Sequence, residues 1–158
     1  MRIGIIADTH DNIPKIKKAL AAFRMRNCEA IIHAGDVVAP FAAKALRAAK
    51  LPIYAVYGNN DGEHAGLADL IEGICDGPRL VELDGRRILV AHSTADVSEE
   101  HKTGVDLVVV GHTHIAEIQR TKPLVVNPGE AGGWLYGRPT VAVVDLRELK
   151  VEIRPLDG

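Results

Sequence analysis

Seven side chains able to bind a metal ion stand in this chain, each where an apolar run ends. Asp8 and His10 follow RIGIIA, Asp36 follows AIIHAG and Asn59 follows IYAVYG. His92 follows ILVA, and His112 and His114 follow LVVVG. Four imidazoles, two carboxylates and one amide, with no thiolate, suit Mn, Fe, Co, Ni or Zn better than Ca or Mg. If the apolar runs are strands of an open α/β sheet, their last residues reach the carboxyl edge, where such folds bind ligands. Seven such groups on five edges point to a two-metal site, and a two-metal site points to phosphate-ester chemistry.

The spacings carry part of the argument. In Asp8-Thr9-His10 and His112-Thr113-His114, alternate residues of an extended segment share a face. Each pair is therefore expected to reach one ion, with Thr113 turned away. In Gly35-Asp36 the glycine lets the backbone come close to whatever the carboxylate holds. Asp36 lies at the middle of the five edges and is placed to bridge two cations; capping a helix over 38–49 is its plainer role. Gly58-Asn59-Asn60-Asp61-Gly62 is a turn by composition. Beside the other clusters, the Asn59 amide oxygen becomes a neutral ligand and Asp61 a partner that orients one. His92 completes the set. His33, inside a strand, reads as buried or as a partner of the ligands, and His64 and His101 as exposed. No motif suggests a nucleophilic Ser or Cys.

The elements that must position these residues alternate at first. Strands are expected at 2–7, 30–34 and 53–57, with helices from Ile13, over 40–49 and around 66–73. Asn12 caps the first helix, Pro14 sits in its first turn, and Ile16, Leu20 and Phe23 form its apolar face. This βαβαβ order implies a parallel sheet with right-handed crossovers. Asp84-Gly85 then marks a hairpin between strands 79–84 and 87–91. A short helix at 97–103 and strands at 106–110, 115–120, 123–127, 140–145 and 149–155 follow, with antiparallel pairing expected to dominate. The fold class is α/β: a four-layer α-β-β-α sandwich of two mixed β-sheets flanked by helices.

Bulk properties narrow the class. A chain of 158 residues suits one domain, 1–158. The net charge of −2 provides no broad basic field, so no long nucleic acid is expected as a partner. No run reaches the ~20 apolar residues of a membrane span, and the first residues do not read as a signal peptide. Cys28 and Cys75 stand far apart with no CxxC, which favours a reducing, cytoplasmic setting.

In this order the clusters resemble the calcineurin-like metallophosphoesterase superfamily, whose pattern is D-x-H, G-D, G-N-x-[DE], a His, then G-H-x-H. The likeness runs from residue 1 to about 145, and IADTHDN and VVNPGE look closest to the small prokaryotic phosphodiesterase subgroup. The vacuolar sorting protein 29 of the retromer shares that fold. The resemblance implies one metal held by Asp8, His10, Asp36 and His114, and another by Asp36, Asn59, His92 and His112. It also implies a hydroxide bridging the metals as nucleophile. It thus places Asp36, Asn59, Asn60 and Asp61 in the catalytic group and two divalent transition metal ions, Mn or Ni favoured, as cofactors. This chain departs from the family twice. Asn60 stands where many members have a His thought to protonate the leaving group, and Asn cannot act as a general acid. Thr94 stands where relatives carry the second His of His-Gly-His, which removes a phosphate contact.

The expected function is a metal-dependent phosphodiesterase acting on a small phosphodiester. A phosphomonoesterase and a non-catalytic scaffold of the vacuolar sorting protein 29 kind stay open, as does a homodimer. A nuclease ranks low. In the loop Asn127–Trp134, glycine N–H groups could approach a phosphate, and Trp134 and Tyr136 could stack a base or line a dimer interface. The plainer reading is a tight connection with an aromatic plug.

Overall fold

The computed structural model describes residues 1–158. β1 (Arg2–Ile6), β2 (Ala30–His33) and β3 (Ile53–Ala55) run parallel, and β9 (Thr140–Asp145) and β10 (Lys150–Pro155) extend the sheet antiparallel, in the order β10-β9-β1-β2-β3. The second sheet contains β4 (Arg79–Leu83), β5 (Arg86–Val90), β6 (Leu107–Val109), β7 (Ala116–Gln119) and β8 (Leu124–Pro128), in the order β4-β5-β6-β8-β7. The two mixed sheets pack face to face, as the sequence pattern implies. Ile3, Ile5, Ile32, Val90, Val109 and Val126 meet between them in one buried cluster.

Strand periodicity sends the alternate residues the other way. Ile6, Ile31 and Val143 pack against α1 (Ile13–Met25), α2 (Pro40–Arg47) and α3 (His64–Leu70) on the outer face of the first sheet. Ile16, Leu20 and Phe23 are the face that α1 buries. Asn12 caps that helix, its side-chain oxygen accepting the Lys15 N–H at 3.3 Å. No helix is long and apolar enough to cross a membrane.

Antiparallel pairing prevails in the second half, through β4-β5, β7-β8 and β9-β10, but β5-β6 and β6-β8 are parallel. Segments 91–106 and 110–123 cross back, so Val90 and Val109 finish on one edge and deliver His92 and His112 side by side. One expectation fails there: the helix over 97–103 is absent. A single 3-10 turn, Thr94–Asp96, precedes turns closed by Lys102 N–H to Glu99 O and Thr103 N–H to Glu100 O, both 3.2 Å. Within 97–103 only Val97 is apolar, so a helix there would have no stripe to bury. The fourth layer is accordingly thin, with Val97 and Val105 covering Leu89, Ala91, Val108 and Val110.

Close helix–sheet contact depends on Gly4. A Cβ there would lie 2.6 Å from the ring of Phe23, which is itself buried and cannot withdraw. Gly4→Ala is expected to destabilise the protein by about 1–3 kcal/mol, the usual scale of overpacking. A urea midpoint equal to that of the native chain would contradict this packing.

Candidate metal centre

The loops that leave β1, β2, β3, β5 and β6 meet at one rim. Asp8 N–H donates to Gly35 O at 3.0 Å, Gly111 N–H to His92 O at 2.9 Å, and His112 N–H to the Asp8 carboxylate at 3.0 Å. The last bond ties the two sheets together. All seven candidate ligands come together there. His10 Nε2 lies 3.3 Å from Asp36 Oδ2 and 3.8 Å from Asp8 Oδ1, and His114 Nε2 lies 3.6 Å from Asp8 Oδ1. On the other side of Asp36, His92 Nε2 lies 3.4 Å from the same Oδ2 and 2.8 Å from Asn59 Oδ1. His112 Nδ1 is 3.2 Å from Asn59 Oδ1. A cavity of about 800 Å³ beside Tyr54 and Arg79 contains none of these residues. Chemistry rather than volume marks the rim.

Asp8 and His10 meet, though not for the reason their spacing suggests, whereas His112 and His114 part, one towards Asn59 and the other towards Asp8. β1 ends at Ile6, and the backbone beyond it is not extended. Asp8, His10, Asp36, His112 and His114 have φ of +52°, +40°, +62°, +71° and +65°. Non-glycine residues seldom adopt this left-handed region, and clusters of them occur where surrounding structure enforces a functional geometry. Thr9 is turned into the protein and Thr113 towards Asn127, whose amide donates to it at 2.9 Å. Asp36 does not cap α2, whose N-cap is Ala39 without a side-chain bond. Gly58 is required by contact, since a Cβ there would stand 2.1 Å from Asp36 Oδ1.

A layer of partners sets the imidazoles. His92 Nδ1–H donates to Ala34 O at 2.7 Å, which leaves Nε2 facing the cluster. His114 Nδ1–H donates to Glu130 Oε2 at 2.7 Å, with the same result. Such bonds fix tautomer and ring orientation at metal-binding histidines. Glu130 is fully buried and also accepts the N–H groups of Leu135 at 3.0 Å and Tyr136 at 2.6 Å. Its one signal in the sequence is its place as a Glu inside an apolar, glycine-rich stretch. Asp61 accepts the N–H groups of Asp36 at 2.8 Å, Gly58 at 2.7 Å and Val38 at 2.6 Å, so it holds the Asp36 loop. Asn60 donates to both Asp36 oxygens, from its backbone at 2.9 Å and its amide at 3.0 Å. His33 is buried: its Nδ1 accepts the Gly35 N–H and its Nε2–H donates to Thr9 Oγ1, both at 3.1 Å. His64 is exposed and stacks on Tyr57, and His101 is exposed.

Charge is concentrated at this rim. The His10 ring is pushed up to about 10 by the Asp36 carboxylate and then by Asp8, against the effect of burial. Burial works to lower His92, but Asp36 and the Ala34 carbonyl outweigh it and the ring is raised. Burial also works to raise Asp36, yet His10, His92 and the Asn60 N–H hold it below the usual carboxylate range. Asp8 Oδ1 and His10 Nε2 are buried without a hydrogen-bond partner. Asp8, His10 and His114 offer atoms within 4.8 Å of one another, as do Asp8, Asp36 and His92. Orphaned buried donor atoms, paired carboxylates and oriented imidazoles fit divalent metal ions, which would compete with the imidazole protons for the same atoms.

A fold of two mixed sheets carrying such a rim defines a class. The chain belongs to the calcineurin-like phosphoesterase superfamily, whose domain it matches over residues 1–149, and it is therefore a hydrolase. It is 39% identical over 154 residues to phosphodiesterase MJ0936 of Methanocaldococcus jannaschii, covering 92% of this chain and 93% of that protein. A solved structure described as a novel archaeal phosphodiesterase superposes with a TM-score of 0.89 at 36% identity, covering 98% and 99% of the two chains. Vacuolar protein sorting 29 from Cryptosporidium parvum shares the fold at a TM-score of 0.67 and 17% identity, with 98% and 95% covered.

Buried His33 and half-buried His10 make metal-free stability depend on pH with opposite signs. His33 is lowered to about 4 by burial, from an ordinary 6.5. Its contribution is present above pH 6.5 and is lost as pH falls towards 4. His10 is raised, so its contribution is present below pH 6.5 and is lost as pH rises through about 10. The Tm of chelated protein is expected to fall on both flanks, and His10→Asn is expected to flatten the alkaline one. An alkaline flank identical in native protein and variant would remove the charge coupling assigned to His10.

Proposed function

We propose that this chain is a phosphodiesterase acting on small phosphodiesters through two divalent transition metal ions. One ion would be held by Asp8, His10, Asp36 and His114, the other by Asp36, Asn59, His92 and His112. The observation that carries this reading is the position of Asp36 Oδ2, between His10 at 3.3 Å and His92 at 3.4 Å. One carboxylate with an imidazole on either side is the arrangement a shared ligand needs. The names of the relatives and the nitrogen–oxygen donor mix support it. When bound, such a pair supplies Lewis-acid polarisation of the phosphoryl group and a hydroxide nucleophile at neutral pH. The donors suit Mn, Fe, Co, Ni or Zn, of which Mn or Ni is favoured here.

The chain's own residues perform the positioning. Asp61 and Asn60 hold Asp36, and Ala34 O and Glu130 aim His92 and His114. Asn60 offers an amide where many relatives have a general acid, so the leaving group must depart with little help from the protein. The modest net charge of −2 favours a small substrate over a long polyanion. We place the protein in the cytoplasm as one domain over 1–158, since its two free thiols suit a reducing compartment. The edge strands β7 and β10 leave a homodimer open.

Chelated protein assayed on bis-p-nitrophenyl phosphate is expected to regain turnover with Mn or Ni and far less with Mg. Comparison with p-nitrophenyl phosphate separates diester from monoester specificity. Asp36→Ala is expected to lose both metals in calorimetric titration and turnover by about a thousandfold or more, the scale of losing a preorganised electrostatic group. Full activity in that variant would remove the shared-ligand role. Metal binding without turnover of any ester would favour the scaffold instead. Across substituted phenyl esters, kcat/KM is expected to fall steeply as leaving-group pKa rises. A flat dependence would mean that some group other than residue 60 protonates the leaving oxygen.

A further inference from the structure

The chain contains one tryptophan, and it stands beside the metal centre. Trp134 is 68% exposed, yet its Nε1–H donates to His10 O at 3.0 Å. Its two successors are fastened by their backbones to Glu130, the carboxylate that also orients His114. Gly132 N–H donates to Asp8 O at 3.1 Å. An exposed aromatic segment is thus tied at several points to the loops that carry the candidate ligands. Tyr136 and Ile115 are also exposed, at 54% and 55%. Tyr136, Ile115, Arg138 and His114 line a cavity of about 500 Å³. None of its lining residues is acidic, so Arg138 has no carboxylate there to neutralise it.

The geometry points to a nucleoside-binding shelf: Trp134 and Tyr136 take the base of a nucleoside phosphodiester, and Arg138 meets its acceptor edge while the phosphate lies at the metal rim. This inference rests on the phosphodiesterase reading and names its substrate class. Aromatic faces bind bases by stacking, without regard to sequence. A shelf fastened in advance loses little freedom on binding. A second copy of the chain is the rival occupant. Four exposed apolar side chains, Ile115, Trp134, Leu135 and Tyr136, are few beside the roughly 20–30 residues a side of a stable interface. The shared lining with His114 favours a ligand that reaches the centre.

Two p-nitrophenyl esters with the same leaving group provide the test: the thymidine 5′-phosphate ester and the methyl phosphate ester. In manganese-loaded native protein kcat/KM is expected to favour the thymidine ester by about tenfold or more, within the range of base stacking. Trp134→Ala and Tyr136→Ala are each expected to bring that ratio towards one. Because Trp134 is the sole tryptophan, its fluorescence in the native protein should also be quenched saturably by thymidine 5′-monophosphate. A ratio near one in the native protein, or one unmoved in both variants, overturns the shelf while leaving the phosphodiesterase reading intact. Absence of quenching overturns it as well. Quenching without turnover of either ester leaves nucleoside binding alone and overturns the substrate assignment together with the hydrolytic reading on which it rests. A sedimentation mass that drops in Trp134→Ala, with the ratio unmoved, assigns the patch to a second copy and overturns the proposal.

Discussion

The structure is organised around a buried carboxylate that cannot be left alone. Asp36 is 1% exposed and sits where the loops from both sheets meet. An isolated buried anion is too costly to keep charged, so it must be surrounded by donors and positive charge. His10, His92 and Asn60 surround its side chain, and Asp61 braces its backbone. The same requirement makes the site receptive to cations, because each imidazole facing Asp36 presents a nitrogen that either a proton or a metal ion can occupy.

Meeting that requirement shapes the chain well beyond the rim. Five of the seven candidate ligands lie in left-handed backbone, and Gly58 leaves room for the Asp36 side chain. Backbone of this kind persists only where the surroundings outweigh its cost. The surroundings here are two apolar packing layers, one between the sheets and one under the helices, which hold the strand ends in place. Parallel pairing in the second sheet is part of the same solution, since an antiparallel β5-β6 would send His92 and His112 to opposite ends.

Polar partners then convert position into orientation. Ala34 O aims His92 and Glu130 aims His114. Glu130 also fastens the Leu135–Tyr136 backbone, so the aromatic segment and the candidate ligand His114 share one anchor. The Asn127 side chain closes the start of its loop, but the aromatic plug expected there is absent, since Trp134 and Tyr136 are exposed.

What the sequence determined by itself was the inventory and its order. Apolar runs ending in Asp, His and Asn mark strand ends and name all seven residues that the rim brings together, because strand periodicity and ligand chemistry are local properties. Ile16, Leu20 and Phe23 declare the buried face of α1 for the same reason. The helix over 97–103 was misread because propensity there has no apolar stripe to act on. Only the tertiary structure decided the left-handed turns at Asp8 and His112, the choice of Ala34 O for His92, and the burial of Glu130 against His114. Each depends on contacts between segments far apart in the chain, whose energies no local pattern encodes. The residues state which chemistry is available; the packing of two sheets decides which atoms face one another.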